Sequence, residues 1–192
     1  MIRLDLPASE ADVRRLRVGD EVALHGTIVT ARDVAHKFMV EKKPDFVRSL
    51  LAGGAIYHCG PVMRREGDRW IAVAAGPTTS SREEPYEATV IEEYGVRVII
   101  GKGGMGARTL AACGKAGAIY LHAVGGAAVL QADQIVEVKD VLMLKEWGAP
   151  EAFWVCRVEG FKGVVTMDAH GGSLHASVLE ATRKRRDALI GV

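Results

Sequence analysis

Two polar loops carry the residues best suited to chemistry. The first, Gly76-Pro-Thr-Thr-Ser-Ser-Arg82, follows the apolar run Ile71–Ala75; the second, Gly101-Lys-Gly-Gly-Met-Gly106, follows the apolar run Val96–Ile100. Each contains one cation, Arg82 or Lys102. An α/β fold builds anion sites this way: glycine lets the backbone approach a ligand at the carboxyl end of a strand, and N–H groups at a helix start face it. The pair therefore suits a carboxylate or phosphate. A capped helix start explains some of the hydroxyls at 78–81 but not the arginine, which opposes the helix dipole unless an anion lies between. A threonine hydroxyl transfers a proton only where a neighbouring cation or metal activates it. Arg32 follows a third strand end at Thr30-Ala31 and repeats the geometry, and His36, four residues on, shares its helical face. Arg32 and His36 are thus binding candidates beside Arg82 and Lys102, with a surface Arg–His pair as the plain alternative.

Two nucleotide motifs fit this loop incompletely. Gly101–Gly106 matches Gly-x-Gly-x-x-Gly, but a dinucleotide site wants an acid about 20 residues on, at the end of the next strand. That strand ends Leu121-His-Ala-Val-Gly125, without one. A phosphate-binding Walker loop needs its lysine after the glycines, whereas Lys102 precedes most of them. The cysteines Cys59, Cys113 and Cys156 are far apart and read as buried thiols rather than a zinc set. His58, His122 and His170 read as satisfied polar or loop residues, and Arg183–Arg186 as a solvated helix face.

The 25 basic residues nearly balance the 24 acidic ones, so no global charge points to nucleic acid or an anionic membrane. No apolar run approaches the ~18 residues of a membrane span, and the amino terminus lacks a signal-peptide core. A cytoplasmic protein is expected, folded as a single domain over residues 1–192.

Around the loops the pattern alternates strand and helix. Glu21–Ala31 reads as a strand or hairpin. Arg32–Val40 reads as a helix with Asp33 as its cap and Pro44 as its stop, and Asp45–Leu51 as a second one. Ala55–Cys59 and Trp70–Ala75 read as strands, with a charged turn at Arg64–Asp68. Glu83–Tyr94 reads as a helix with a capping box of Ser81 and Glu84, closed by Gly95. Val96–Ile100, Ala107–Cys113 and Ala118–Val124 form a strand–helix–strand unit. Gln134–Leu144 reads as a strand, Phe153–Val158 and Gly163–Asp168 as two paired strands, and Leu174–Leu189 as a last helix capped by Ser173. The class is α/β with a mixed sheet and flanking helices.

Four motifs in this order, Arg32-Asp-x-x-His36, Tyr57-His-Cys-Gly-Pro61, Gly76-Pro-Thr-Thr-Ser-x-Arg82 and Gly101-Lys-Gly-Gly-Met-Gly106, resemble the iron–sulfur hydro-lyase β family. This is the β subunit or C-terminal domain of class I fumarate hydratases and of L(+)-tartrate dehydratase. The resemblance continues through Glu151–Trp154 and Val164–Asp168. It implies a swivelling β/β/α domain and reversible hydration of fumarate to (S)-malate, or dehydration of tartrate to oxaloacetate. It implies that Arg32, Arg82 and Lys102 bind the substrate carboxylates, with His36 beside them, and that Thr78 is the catalytic base, with Lys102 stabilising the charge that develops. It implies a four-iron four-sulfur cluster held by a separate α subunit in a heterotetramer, with no metal ligand on this chain. Glu83 stands where many relatives have methionine, which adds a negative charge beside Arg82. A non-catalytic carboxylate-binding or assembly module on the same fold is the reading from another class.

Overall fold

The computed structural model describes residues 1–191. In chain order the elements are β1 (Ile2–Asp5), α1 (Glu10–Arg14), β2 (Glu21–Thr30), α2 (Asp33–Lys42), α3 (Asp45–Leu51), β3 (Ala55–Tyr57), β4 (Val62–Glu66) and β5 (Arg69–Ala74). A 3₁₀ turn at Ser80–Arg82 leads into α4 (Glu84–Tyr94), followed by β6 (Val98–Gly101), α5 (Ala107–Ala116), β7 (Ile119–His122), α6 (Ala128–Asp133), β8 (Ile135–Leu142), α7 (Leu144–Trp147), β9 (Phe153–Met167) and α8 (Leu174–Ile190). Seven strands form one mixed sheet in the order β1-β2-β3-β6-β7-β9-β8, and β4 and β5 form a separate hairpin. The expected class is what the chain adopts.

Strand β9 closes this sheet on itself. It runs antiparallel to β2 from Glu21↔Val164 to Val29↔Val155, and its other edge takes β8 near one end and β7 near the other. The circuit β2-β3-β6-β7-β9 is therefore a closed ring. Read from sequence, Phe153–Val158 and Gly163–Asp168 are two paired strands, separated by residues 159–162. They are instead one 15-residue strand. Pairing with the whole length of β2 carries the chain through its glycines, a long-range effect that local signals cannot show.

The period-two alternation of strand side chains sends each strand to two cores. Leu24, Ile28, Tyr57, Ile100, Leu121, Trp154, Phe161 and Val165 fill one. Val29, Ile56, Ile99, Tyr120 and Met167 face the other, where Met39, Leu51, Ile91 and Cys113 of α2 to α5 cover them. That explains why β6 is buried at every position, as its continuous apolar run predicts. Each fully buried aliphatic side chain contributes about 1.5–3 kcal/mol.

Local signals fail at a few boundaries. Residues Arg64–Asp68 are not simply a turn: Val62–Glu66 pairs with Arg69–Ala74, and Gly67 at φ +60° makes the corner. The helix after Arg32 ends at Lys43 in the left-handed region, one residue before Pro44. Ser173 does cap α8, accepting from the Ala176 N–H.

Candidate active site

Strands β2, β3, β6 and β7 are mutually parallel, so their carboxyl ends share one rim. Arg32 follows β2, His58–Gly60 follow β3, Lys102 follows Gly101 at the end of β6, and Gly125-Gly126 follow β7. The Gly76–Arg82 loop lies across this rim. Thr78 N–H donates to the His58 carbonyl at 2.7 Å, Ser80 N–H donates to the Lys102 carbonyl at 3.3 Å, and Thr79 bridges Lys102 in parallel. Thr78 and Lys102, 24 positions apart, thus sit on adjoining segments of backbone. Both are half-buried, and Thr79 and Gly103 beside them are exposed.

The cations are held differently. Arg32 is the N-cap residue of α2; its Nε lies 3.4 Å from a Glu151 carboxylate oxygen and is buried without a hydrogen-bond acceptor. Gly60 leaves room for it: a Cβ there would come within 2.8 Å of both Arg32 Nη1 and the Pro150 carbonyl. Arg82 is ion-paired with Asp33 in the first turn of α2. Asp33 is therefore not a helix cap but the anion that steadies an arginine against its helix dipole. Among the described residues, no carboxylate meets the Lys102 ammonium.

The helix start after Gly106 does not wait for a ligand. The Glu84 carboxylate accepts from the N–H groups of Gly106 (2.7 Å), Arg108 (3.1 Å) and Thr109 (3.3 Å), and from the Thr109 hydroxyl (2.7 Å). Glu84 thus caps α5 from α4, and the Ser81–Glu84 capping box does not form. An anion on this rim meets side-chain cations and hydroxyls, not the amino end of α5.

His36 does not point to the rim. It is fully buried, with Nδ1 2.9 Å from the Arg32 carbonyl and Nε2 3.0 Å from Glu87 Oε2. His58 is buried too, with Nε2 2.9 Å from the same Glu87 oxygen and Nδ1 2.9 Å from Ser80 Oγ. Sequence reading missed Glu87 and took His58 as an ordinary polar residue. Nothing local marks the pair, since their spacing is 29 residues. Burial alone opposes a charge on each member. The Glu87 carboxylate nonetheless outweighs it for His36, raising that imidazole, while burial prevails for His58 and lowers it. Against burial, the two imidazoles hold Glu87 down at about 2. His36, His58 and Glu87 offer three ligand atoms within 4.8 Å of one another. Hydrogen bonds within and beyond the set already engage all four imidazole nitrogens, so it reads as a polar cluster rather than a metal cage.

Nor do the cysteines make a cluster site. Cys59 and Cys156 belong to one core and Cys113 to the other. All three are buried free thiols, and burial pushes them up, Cys156 to about 12. A ligating cysteine must be a thiolate, so these residues do not fit an iron–sulfur cluster.

Glu83 is enclosed next to Arg82, with neither carboxylate oxygen hydrogen-bonded. Burial, opposed by His36 and reinforced by Asp33, pushes it up to about 8. The folded chain then holds a proton that the unfolded chain releases near pH 4.5. The stabilising preference for the neutral form is complete below that value and is lost as pH rises to about 8. Glu83→Gln should therefore gain melting temperature over the wild type progressively between pH 4.5 and 8, and no further above it. A difference independent of pH would show that Glu83 is ionised in the folded chain.

Comparison with known proteins settles the family. The model of the fumarase C-terminus matches residues 1–178. The chain belongs to the fumarase C-terminal family. A Geobacillus stearothermophilus protein bearing the name fumarate hydratase class I is 46% identical over 186 residues, which cover 96% of this chain and 35% of that protein. The β subunit of L(+)-tartrate dehydratase from Escherichia coli K12 is 42% identical over 188 residues, 97% of this chain and 92% of that subunit. The chain therefore spans about a third of the first relative and nearly all of the second. Among the described residues of this family member, no helix is long and apolar enough to cross a membrane.

Proposed function

We propose that this chain is the β subunit of a two-subunit hydro-lyase of the class I fumarate hydratase type, acting on fumarate and (S)-malate. The observation that supports the reading is the Thr79–Lys102 bridge, which joins the backbone next to Thr78 to that of Lys102, whose ammonium has no carboxylate partner among the described residues, at the strand ends that also carry Arg32. Three cations suit a substrate with two carboxylates.

In the direction of dehydration, Thr78 Oγ1, deprotonated to the alkoxide, takes the proton from the carbon next to one carboxylate. The electron pair left on that carbon spreads into the carboxylate, which approaches a doubly charged aci form. Lys102 and Arg82 stabilise this charge as it develops, and Arg32 fixes the other carboxylate. The C–O bond on the neighbouring carbon then breaks, hydroxide leaves and the double bond forms. In the direction of hydration, Thr78 returns the proton to the same carbon. The metal chemistry at the hydroxyl-bearing carbon is assigned to an α subunit carrying the four-iron four-sulfur cluster, because the buried cysteines of this chain do not suit it. Closure of the α subunit over the rim would exclude water.

The β subunit of tartrate dehydratase gives a second reading, favoured by the 92% coverage of that subunit. Both substrates present two carboxylates to the same cations and differ in hydroxyls. Lys102→Ala in the assembled enzyme should lower kcat/KM by about 10²–10³. Unchanged kinetics for both fumarate and tartrate would remove Lys102 from the site.

A further inference from the structure

The structure assigns to Glu87 a positioning role: through His58 and His36 it holds the Thr78 loop and the Arg32 strand end in register. This rests on the proposed hydro-lyase reading for its kinetic part only. The donors and acceptors fix the protonation of the network. Ser80 Oγ lies 3.2 Å from the Lys102 N–H and 2.8 Å from the Tyr120 hydroxyl. Accepting from both, it has one proton left to donate, and His58 Nδ1 receives it. His58 is then the neutral tautomer with its proton on Nε2, which it donates to Glu87. His36 Nδ1 faces a carbonyl and must carry a proton, and its Nε2 faces an ionised carboxylate and carries one too. His36 is thus an imidazolium paired with Glu87, and the cluster of His36, Glu87 and His58 is neutral as a unit.

Each outer end of this unit grips backbone that bears a site residue. His36 donates to the carbonyl of Arg32 itself. The His58 carbonyl accepts the Thr78 N–H, and the His58 ring holds Ser80, which holds the Lys102 N–H. No slack exists beneath Ser80: a Cβ on Gly101 would lie 1.9 Å from Ser80 Oγ and 3.1 Å from His58 Nδ1. The other titratable groups facing the cluster are Asp33, Glu83, Cys113 and Tyr120. A buried ion pair contributes little stability over an apolar replacement, so geometry is the better account of what this one supplies.

Glu87→Gln makes the test. Gln removes the negative charge that offsets the burial of an imidazolium, so His36 should give up its Nε2 proton. In wild-type chain at pH 7.5, nitrogen NMR of the imidazoles should show one doubly protonated histidine and one buried neutral histidine protonated on Nε2. In the variant the doubly protonated signal should disappear. This measurement needs no partner and no substrate. In the assembled enzyme kcat should fall by about 10²-fold, as for a displacement on the order of 1 Å of a reacting group. KM should change much less, because the long Arg32 and Arg82 side chains can follow a small backbone shift and the short Thr78 side chain cannot. Glu87→Asp, which keeps the charge, should recover part of kcat and the doubly protonated signal.

The outcomes separate cleanly. A wild-type spectrum without a doubly protonated buried histidine overturns the network itself. An intact network with wild-type kcat in a folded Glu87→Gln variant overturns the positioning role. An inactive wild-type complex with the expected spectra would overturn the hydro-lyase reading and with it the kinetic role, while leaving the protonation pattern standing.

Discussion

Thr78→Ala should reduce turnover in the assembled enzyme to near the background while the substrate still binds. Thr78 is tied through its backbone N–H to His58, so its hydroxyl and not its main chain is free for chemistry. The neighbouring segment carries Lys102, and a cation near a threonine lets its hydroxyl lose a proton and serve as an alkoxide base. Alanine keeps the backbone bond and removes only the hydroxyl. The three cations remain, so dicarboxylate affinity, measured by equilibrium titration, should stay within a few-fold of wild type. A loss of general-base function costs about 10²–10⁴ in rate. Thr78→Ser, which restores a hydroxyl, should recover much of it. Near-normal turnover in Thr78→Ala would remove this residue as the base and leave the rim a binding surface only.

The second large effect is expected at Gly101, the first glycine of the Gly101–Gly106 loop. Its Cα lies against Ser80 Oγ, the Tyr120 hydroxyl and His58 Nδ1, at 1.9, 2.8 and 3.1 Å from where a Cβ would stand. None of these groups can retreat easily. Ser80 and His58 are fully buried, and Ser80 is joined to its neighbours by hydrogen bonds on every side. Gly101→Ala should therefore destabilise the chain by about 3 kcal/mol or more, the upper range for overpacking. For a chain of this size that corresponds to a fall in Tm of roughly 6–12 °C. It should also abolish activity, because the shift falls on Thr78 and Lys102 together. A variant melting within about 2 °C of wild type would show that the loop does not rest on Gly101.

These two positions show what a sequence can and cannot reveal here. The rim was readable because strand-end loops and their cations are local features: apolar run, glycine, cation. The parallel order of β2, β3, β6 and β7 then brings Arg32 and Lys102 to one edge, and hydrogen bonds from Thr78 and Ser80 lay the Gly76–Arg82 loop, which follows the separate hairpin, across it. What was hidden is the set of partners. Asp33 looked like a cap and is the counter-ion of Arg82. Glu84 looked like half of its own helix's capping box and caps α5 instead. His36 looked like a second binding group beside Arg32 and lies beneath it, joined to Glu87. In each case the residue type was informative and its partner lay 22 to 51 positions away. Only the closed ring of strands decides such pairings. The same holds for β9, whose unbroken course depends on β2.

The most direct test of the central claim is to co-express this chain with a cluster-bearing α subunit of the same family, purify the complex without oxygen, and follow fumarate consumption and (S)-malate formation. The complex should turn over substrate, neither chain alone should, and Lys102→Ala should lose about 10²–10³ in kcat/KM. A complex that forms with its cluster intact yet hydrates or dehydrates no four-carbon dicarboxylate would contradict the claim.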